Sequence, residues 1–192
     1  MKKIPCLFKR DFNTKGRQTL IYNEVTEGCE WVLKGEGIPY IKIDGTACRI
    51  KEGVLYKRYD AKHGKIPPSN FEPCEETPDL ITGHWPGWIP VGLEPDSIWH
   101  REAFEQSNCK NRDGTYELVG PKIKNNPEGL DRHTLLPHTS FKIIERIYLS
   151  YEGLCLYLRK NNVEGIVFHH PDGRMAKIRR CDYGFEWPIK DK

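Results

Sequence analysis

Short runs of apolar and β-branched residues alternate with polar positions along most of the chain. Such runs are typical of strands that bury one face. Turn residues at 51–53 and 170–173 close two antiparallel hairpins between neighbouring runs. The strands predicted in this way are residues 19–25, 38–50, 54–59, 115–119, 141–149, 163–169 and 174–180.

Two segments have the pattern of helices instead. Residues 151–160 place Leu154 and Leu158 at helical spacing, and Ser150 stands where an N-cap is expected. Ser97 is in the same position before a second predicted helix at 98–108. Residues 63–97 contain seven prolines and are predicted to be irregular. Because strands outnumber helices and hairpins dominate, the pattern favours an α+β fold.

Length and composition predict a single globular domain spanning residues 1–192. Apolar residues make up 38% of the chain, and the formal net charge is only +3. The longest apolar runs are too short to span a bilayer, and the N-terminus lacks the apolar stretch of a signal peptide. We therefore expect a cytoplasmic protein without membrane contact, and a nuclear location stays open.

The seven cysteines agree with a reducing compartment. They are odd in number, and no two lie closer than 19 residues, so no Cys-x-x-Cys pair exists. Zinc ribbons and thioredoxin-like sites are excluded by this spacing. We expect free thiols.

Charge is unevenly distributed along the chain. Residues 57–65 and 174–180 are basic, whereas residues 72–79 carry four acids and no cation. Basic segments of this kind suit a polyphosphate or a nucleic acid, although a solvated exterior has the same composition.

The tetrapeptide Lys42-Ile43-Asp44-Gly45 is the first candidate for chemistry. In a continuous strand, Lys42 and Asp44 share one face, and Ile43 lies on the other. A lysine among apolar neighbours can act as a nucleophile if its amine is desolvated. The alternative is an ordinary lysine at a strand end before an Asp-Gly turn.

The rest of the chain supplies charged residues that such a lysine would need. Two carboxylates in predicted strands suit ribose hydroxyls or a hydrated divalent cation. Two cations that alternate on one strand face suit a triphosphate. The residues are Arg49, Arg58, Glu117, Glu164, Lys177 and Arg179.

Four short motifs follow one another along the chain: Lys-x-Asp-Gly at 42–45, Glu117, Glu-Gly-Ile-Val at 164–167 and Lys-x-Arg at 177–179. The set resembles motifs I, III, IV and V of the covalent nucleotidyltransferases, which include polynucleotide ligases and capping guanylyltransferases. More narrowly, the chain resembles the vertebrate-type ATP-dependent 5′-to-3′ RNA ligase family. The segments that carry the resemblance are KIPCLFKRD at 3–11, GCEWVLKGEG at 28–37, GHWPGWIPV at 83–91, YELVGPKI at 116–123, NPEGL at 126–130 and VEGIVFHHPDG at 163–173.

The resemblance implies a fold, a reaction and its partners. The fold is an α+β nucleotidyltransferase domain (an ATP-grasp-like ligase adenylation domain) of antiparallel sheets with flanking helices. Only 13 residues follow Arg179, so no OB-fold domain is expected. The cofactors are ATP and Mg²⁺ or Mn²⁺. The substrate is RNA with 5′-phosphate and 3′-hydroxyl ends, and the protein is expected to be a monomer.

For the first step, the resemblance implies that Lys42 attacks the α-phosphate of ATP and becomes a lysyl-AMP. Lys177 neutralises the α-phosphate as charge builds in the transition state, with support from Arg179. Glu164 positions metal-bound water near Lys42. AMP then passes to the RNA 5′-phosphate, and the 3′-hydroxyl displaces it.

The remaining implied roles concern binding of ATP. Glu117 is expected to hold the ribose or the water shell of the metal, and Arg58 to face the ribose and phosphates. The other expected contacts are Asp44 at the ribose or metal, Gly45 as the last residue of motif I, the peptide groups of Tyr40 and Ile41 at the adenine edge, and Phe141 stacked on the adenine.

Two positions depart from the wider superfamily. Many DNA ligases and capping enzymes have arginine two residues after the motif I glycine, where this chain has Ala47. Arg49 lies on the same predicted strand face and is the expected substitute. In motif V, Arg179 stands where lysine is more common, which keeps the charge and changes the donor geometry.

Three other functions stay open at this point. They are a DNA ligase, a capping enzyme that uses GTP, and a catalytically silent RNA-binding module. The histidines, including His138, show no metal-ligand spacing and are interpreted as surface or packing residues. Trp85, Trp88 and Trp99 are interpreted as packing residues in preference to base-stacking ones.

Overall fold

The computed structural model describes residues 2–11, 20–80 and 82–189. The helices are α1 (Glu30–Leu33), α2 (Ile98–Gln106) and α3 (Tyr151–Lys160). Short 3₁₀ helices lie at Pro95–Ser97, His138–Ser140 and Arg180–Tyr183. The strands are β1 (Phe8–Arg10), β2 (Ile21–Val25), β3 (Ile38–Lys42), β4 (Thr46–Lys51), β5 (Val54–Ala61), β6 (Glu72–Pro73), β7 (Trp85–Pro90), β8 (Gly114–Val119), β9 (Thr134–Pro137), β10 (Gly165–His169) and β11 (Met175–Arg179).

The chain divides into two compact units. Unit 1 contains Met1–Lys3 and Asp44–Ser140, and unit 2 contains Ile4–Ile43 and Phe141–Lys192. Within the described residues, sheets and short helices confirm the α+β class. The single nucleotidyltransferase domain stays a prediction.

Unit 1 is built on a six-stranded antiparallel sheet with the order β6-β7-β5-β4-β8-β9. β4 and β5 form the predicted hairpin, and Glu52 and Gly53 at its turn have φ values of 53° and 74°. Two left-handed residues match the right-handed twist of the strands in a two-residue turn. One face of the sheet buries a core that includes Cys48, Ile50 and Leu118, against which Ala103 of α2 packs.

Unit 2 contains a three-stranded antiparallel sheet with the order β11-β10-β3 and a two-stranded sheet of β1 and β2. Its core includes Phe8, Ile166 and Ile178 together with Leu154 and Leu158 of α3. α3 has the predicted bounds. Its cap is confirmed as well, because the Ser150 hydroxyl accepts a hydrogen bond of 3.0 Å from the Gly153 amide.

The predicted strand at 38–50 is wrong, because β3 and β4 are separate strands in different sheets. The predicted strand at 141–149 is also wrong. Only Ile143 forms an isolated bridge, to Tyr40, and its side chain is 47% exposed. The predicted strand at 19–25 begins at Ile21 in the structure, and Thr19 lies outside the described residues. The other predicted strands are confirmed with ends shifted by up to two residues.

The proline-rich segment is more regular than its composition predicts. β7 lies inside it and pairs with β5 over six residues, from Tyr56↔Pro90 to Ala61↔Trp85. Trp88 at the centre of β7 is 1% exposed, and burial of the indole favours the strand despite the flanking prolines.

Ser97 precedes α2 as predicted, but its side chain does not cap the helix. Its hydroxyl instead lies 2.7 Å from Lys57 Nζ and accepts a hydrogen bond from it. α2 ends at Gln106, two residues before the predicted end. None of the helices in residues 2–11, 20–80 and 82–189 has the length and apolar character needed to cross a bilayer. All seven cysteines are free thiols.

Candidate active site

In unit 2, Lys42 is the last residue of β3 and lies opposite Gly165 at the start of β10. This register brings Glu164 to Lys42, 122 residues away in sequence. Lys42 Nζ donates to Glu164 Oε2 at 2.5 Å and to the carbonyl of Ile43 at 3.2 Å. Glu164 is 8% exposed, so the ion pair is largely shielded from water.

Gly165 is required for this arrangement. A Cβ atom there would lie 2.4 Å from the carbonyl oxygen of Ile178 and 3.0 Å from Cα of Arg179, and both are backbone atoms. A side chain at this position would therefore push β10 and β11 apart. The glycine of the Glu-Gly-Ile-Val motif thus has a steric role beside the carboxylate.

Lys177 and Arg179 lie on one face of β11, as predicted, because Ala176 and Ile178 are fully buried on the other. Burial, followed in order of effect by the charges of Arg179, Lys42 and Arg10, lowers the pKa of Lys177 to about 8. Gly165 pairs with both Lys42 and Arg179, and Val167 pairs with Lys177, so the three cations lie on one face of the three-stranded sheet. Unit 2 brings together four predicted residues: Lys42, Glu164, Lys177 and Arg179.

Asp182 holds Arg179 and was not predicted from the sequence. It is 1% exposed, and its carboxylate accepts hydrogen bonds from the Arg179 amide and from Arg179 Nη2, both at 2.9 Å. Burial opposes its charge, but the hydrogen bonds and charge of Arg179 and the charge of Arg10 leave the pKa of Asp182 below its usual value. Arg10 Nη2 is a second donor to the carboxylate, at 3.0 Å.

Unit 1 carries the other charged residues on one face of its sheet. The strand register places Arg49 opposite Tyr56 and Glu117 opposite Ala47, on the face away from the core residue Cys48. Arg58, two residues after Tyr56, lies on this face too. Glu117, Arg49 and Arg58 therefore share a surface.

Two neighbours fix the carboxylate of Glu117. Oε1 accepts a hydrogen bond from the Gly45 amide at 3.1 Å, and Oε2 lies 3.0 Å from His138 Nε2. His138 Nδ1 lies 2.9 Å from the hydroxyl of Thr115. Gly45 allows this approach, since a Cβ there would lie 2.3 Å from the carbonyl oxygen of Leu118. Interpreting His138 only as a surface or packing residue missed its link to Glu117.

Arg49 and Arg58 are both held against aromatic rings. Arg49 forms an ion pair with Glu72 and lies over the Tyr56 ring, 4.6 Å from its centroid. Hydrogen bonding to Arg49 lowers the pKa of Glu72. Arg58 lies 5.2 Å from the Trp88 ring centroid, and its Nη1 is 3.3 Å from Cys74 Sγ. The rings restrict both guanidinium groups, whose planar N–H donors have the geometry that suits an anion.

The residues predicted for motif I and for contact with adenine do not lie on one continuous strand. β3 ends at Lys42, so Asp44 does not alternate with it on a strand, and the expectation of a shared face is wrong. The Asp44 amide lies 3.3 Å from Glu128 Oε1. The Ile41 amide donates to the carbonyl of Lys142 at 2.8 Å.

Tyr40 and Phe141 are the remaining predicted adenine contacts. The Tyr40 ring packs on His169 at 4.8 Å between centroids, and Tyr40 bridges to Ile143, two residues after Phe141. Contact of either residue with adenine stays a prediction.

No group of three or more His, Cys, Asp or Glu side chains in the described part of the chain could hold a metal ion by itself. The carboxylate of Glu117 is engaged by His138 and that of Glu164 by Lys42. Metal binding at these two residues through water stays a prediction.

Comparison with known proteins gives consistent matches. Residues 107–192 match the family model described as RNA ligase 1. The chain is 27% identical to RNA ligase 1 of Danio rerio over 141 residues, which cover 57% of this chain and 43% of that protein. It is 26% identical to RNA ligase 1 of Pongo abelii over 225 residues, or 80% of this chain and 69% of that protein. These matches support an RNA ligase family assignment.

The matches differ in the part of the site that they include. The family model covers Glu117, Glu164, Lys177 and Arg179, and it begins after Lys42. RNA ligase 1 of Mus musculus is 29% identical over 141 residues, again 57% of this chain and 43% of that protein. The matched part of the chain thus spans less than half the length of the fish and mouse relatives.

Proposed function

We propose that this protein is an ATP-dependent RNA ligase that works through a lysyl-AMP intermediate on Lys42. The observation that carries the proposal is the contact between Lys42 Nζ and the shielded Glu164 carboxylate, beside Lys177. A primary amine oriented by an acid and close to a second cation is the arrangement that nucleophilic attack on a phosphate requires. The RNA ligase 1 relatives support RNA as the substrate.

In the first step, Lys42 Nζ forms a bond to the α-phosphorus of ATP. The bond between that phosphorus and the bridging oxygen breaks, and pyrophosphate leaves with the electron pair. Lys42 must lose a proton to attack, and Glu164 Oε2 faces that proton. Lys177 and Arg179 are proposed to stabilise the negative charge on the α-phosphate. AMP is then transferred to the RNA 5′-phosphate, and the RNA 3′-hydroxyl displaces AMP.

Residues of unit 1 are proposed to bind the nucleotide. Glu117, fixed by His138, is assigned to the ribose, and Arg49 and Arg58 are assigned to the phosphates. Mg²⁺ or Mn²⁺ entering with ATP would supply further neutralisation of the phosphates. Glu164 and Glu117 offer the carboxylate oxygens that these ions prefer, through bound water.

The proposal includes a nucleotidyltransferase fold and a monomeric enzyme in the cytoplasm. The free thiols are consistent with a reducing compartment.

Incubation with ATP labelled at the α-phosphate tests the first step. We expect covalent label on the wild-type protein and none on Lys42→Ala. Lys34→Ala, which removes an exposed lysine of unit 2, is the matched control and should be labelled normally. Label on Lys42→Ala, or none on the wild type, would contradict the proposal.

Three further substrates separate the alternatives. Labelling by GTP in place of ATP would indicate a capping enzyme. Sealing of nicked DNA, without joining of 5′-phosphorylated RNA, would indicate a DNA ligase. RNA binding without any labelling would indicate a silent binding module. We expect ATP labelling and joining of 5′-phosphorylated RNA to a 3′-hydroxyl end.

A further inference from the structure

Arg10 is a fourth cation of the unit 2 site, and neither the sequence motifs nor the comparisons assign it a role. It is the last residue of β1, and its Nη2 donates to Asp182 Oδ1 at 3.0 Å. Arg179 Nη2 donates to the same oxygen at 2.9 Å. One buried carboxylate therefore holds two guanidinium groups side by side.

The charges in this cluster are unbalanced. Within residues 2–11, 20–80 and 82–189, the ion pairs of Arg10, Lys42 and Arg179 involve two carboxylates, those of Glu164 and Asp182, and Lys177 adds a fourth cation. Like charges gathered in a partly buried site repel one another, and a polyanion that binds among them removes the repulsion. The cluster therefore suits a ligand with several negative charges better than a single carboxylate or phosphate.

Arg10 also has donor capacity left after it binds Asp182. Its Nε is buried and makes no hydrogen bond within the described residues, and its side chain is about one quarter exposed. A guanidinium has five N–H donors, of which Arg10 directs one to Asp182 Oδ1 and another to the Cys6 thiol. The remaining donors are suited to phosphate oxygens.

The position of Arg10 indicates which phosphates it would bind. The Leu7 amide donates to the Lys177 carbonyl and the Lys177 amide donates to the Pro5 carbonyl, so the segment that leads into β1 lies along the edge of β11 opposite β10. Arg10 thus approaches Lys177 and Arg179 from the side away from β3 and Lys42. An α-phosphate attacked by Lys42 must lie next to Lys42, so Arg10 is better placed for the β- and γ-phosphates.

We propose that Arg10, held beside Arg179 by Asp182, binds the pyrophosphate leaving group of ATP. The inference rests on the proposed function. Arg10 is a binding residue for the first step, and Asp182 is a positioning residue that presents Arg10 and Arg179 together. Arg10 is not expected to contribute once pyrophosphate has left.

Reversal of the first step isolates this role. When inorganic pyrophosphate attacks the lysyl-AMP, the phosphorus–nitrogen bond breaks, an oxygen–phosphorus bond forms, and ATP and free Lys42 are regenerated. For Arg10→Gln, we expect the pyrophosphate concentration that gives half-maximal ATP formation to rise about tenfold. Joining of pre-adenylylated RNA, which involves no pyrophosphate, should stay within about twofold of wild type.

Two variants control the measurement. Lys9→Gln removes the neighbouring cation of β1, which pairs with Glu24, and should leave both reactions unchanged. Arg10→Lys keeps the charge but loses the planar donors, and it should lie between wild type and Arg10→Gln. If Arg10→Gln does not fold, Arg10→Lys provides the same comparison of the two reactions.

Three results would overturn the inference. Equal losses in both reactions would assign Arg10 a structural role. Weaker transfer of AMP to 5′-phosphorylated RNA, with normal use of pyrophosphate, would place the RNA phosphate at Arg10. Unchanged kinetics in both Arg10 variants would remove it from the site. Absence of lysyl-AMP on the wild-type protein would instead refute the proposed function. The wild-type protein is labelled first, so this outcome is known before any variant is compared.

Discussion

The depressed pKa of Lys177 predicts that binding of ATP weakens in alkaline solution. Burial and the neighbouring cations bring this pKa to about 8, so the free protein loses the proton as the pH rises through 8. A phosphate bound at Lys177 would favour the ammonium form and restore the proton. The bound state therefore holds more protons than the free state above pH 8, and affinity must fall as the pH increases.

The magnitude follows from the titration. With a pKa near 8, about a quarter of Lys177 is deprotonated at pH 7.5 and about nine tenths at pH 9. If the bound lysine keeps its ordinary pKa of 10.5, affinity falls roughly eightfold between these two pH values. The shift also has a consequence for folding. Because the folded pKa lies below 10.5, Lys177 disfavours the folded state below pH 8, and this cost is relieved between pH 8 and 10.5.

Equilibrium binding of α,β-methylene-ATP measures the effect without transfer of AMP. Titration of the γ-phosphate of the analogue is the same for every variant, so it cancels in a comparison between proteins. Lys177→Arg keeps a cation throughout the range. Its affinity for the analogue should therefore decrease only by the amount that titration of the γ-phosphate causes in every variant. Parallel losses of affinity in wild type and Lys177→Arg would refute the reasoning, because another group would then bind the proton.

Two further predictions concern a helix cap and a positioning histidine. Ser150→Ala removes the acceptor for the Gly153 amide and should lower the free energy of unfolding by about 1 kcal/mol in urea denaturation. The corresponding decrease in Tm is about 3 °C. A loss below about 0.3 kcal/mol would show that the cap is dispensable. His138→Ala leaves one Glu117 oxygen without its imidazole partner, and the KM for ATP in lysyl-AMP formation should rise about tenfold with a smaller change in kcat. Thr115→Val, which removes only the outer hydrogen bond to His138, should have the weaker effect, and equal KM values in all three proteins would contradict the role.

The elements predicted correctly from the sequence depend on local signals. α3 has a serine cap and leucines four residues apart, and both features act within one or two turns of helix. The β10–β11 hairpin combines alternation of buried and half-buried residues in β11 with a turn in which Gly173 has a φ of 91°. In each case the residues that are buried are the ones that recur at the spacing of the helix or strand in the sequence.

The incorrect predictions arise where a distant contact determines the conformation. Residues 38–50 have a continuous strand-like composition, yet the chain leaves one sheet after Lys42 and enters another at Thr46. Gly45 lies at this change, against the carbonyl of Leu118, which is 73 residues away. Ile143 and Ile144 look like strand residues, but this segment pairs with β3 only through the bridge from Ile143 to Tyr40, and Ile144 is held by burial in the unit 2 core.

At the site, too, some features could be predicted from local sequence and others could not. The motif residues could be identified because each has a characteristic local sequence, but their partners depend on strand register. Glu164 meets Lys42 because Gly165 pairs with Lys42. Asp182 reaches Arg179 because the chain turns into a 3₁₀ helix directly after β11. Asp182 is the first acid after the basic run 174–180, and one acid is too weak a signal by itself. It becomes informative once burial is known, because a carboxylate that is 1% exposed must have cationic partners, and those partners locate the rest of the cluster.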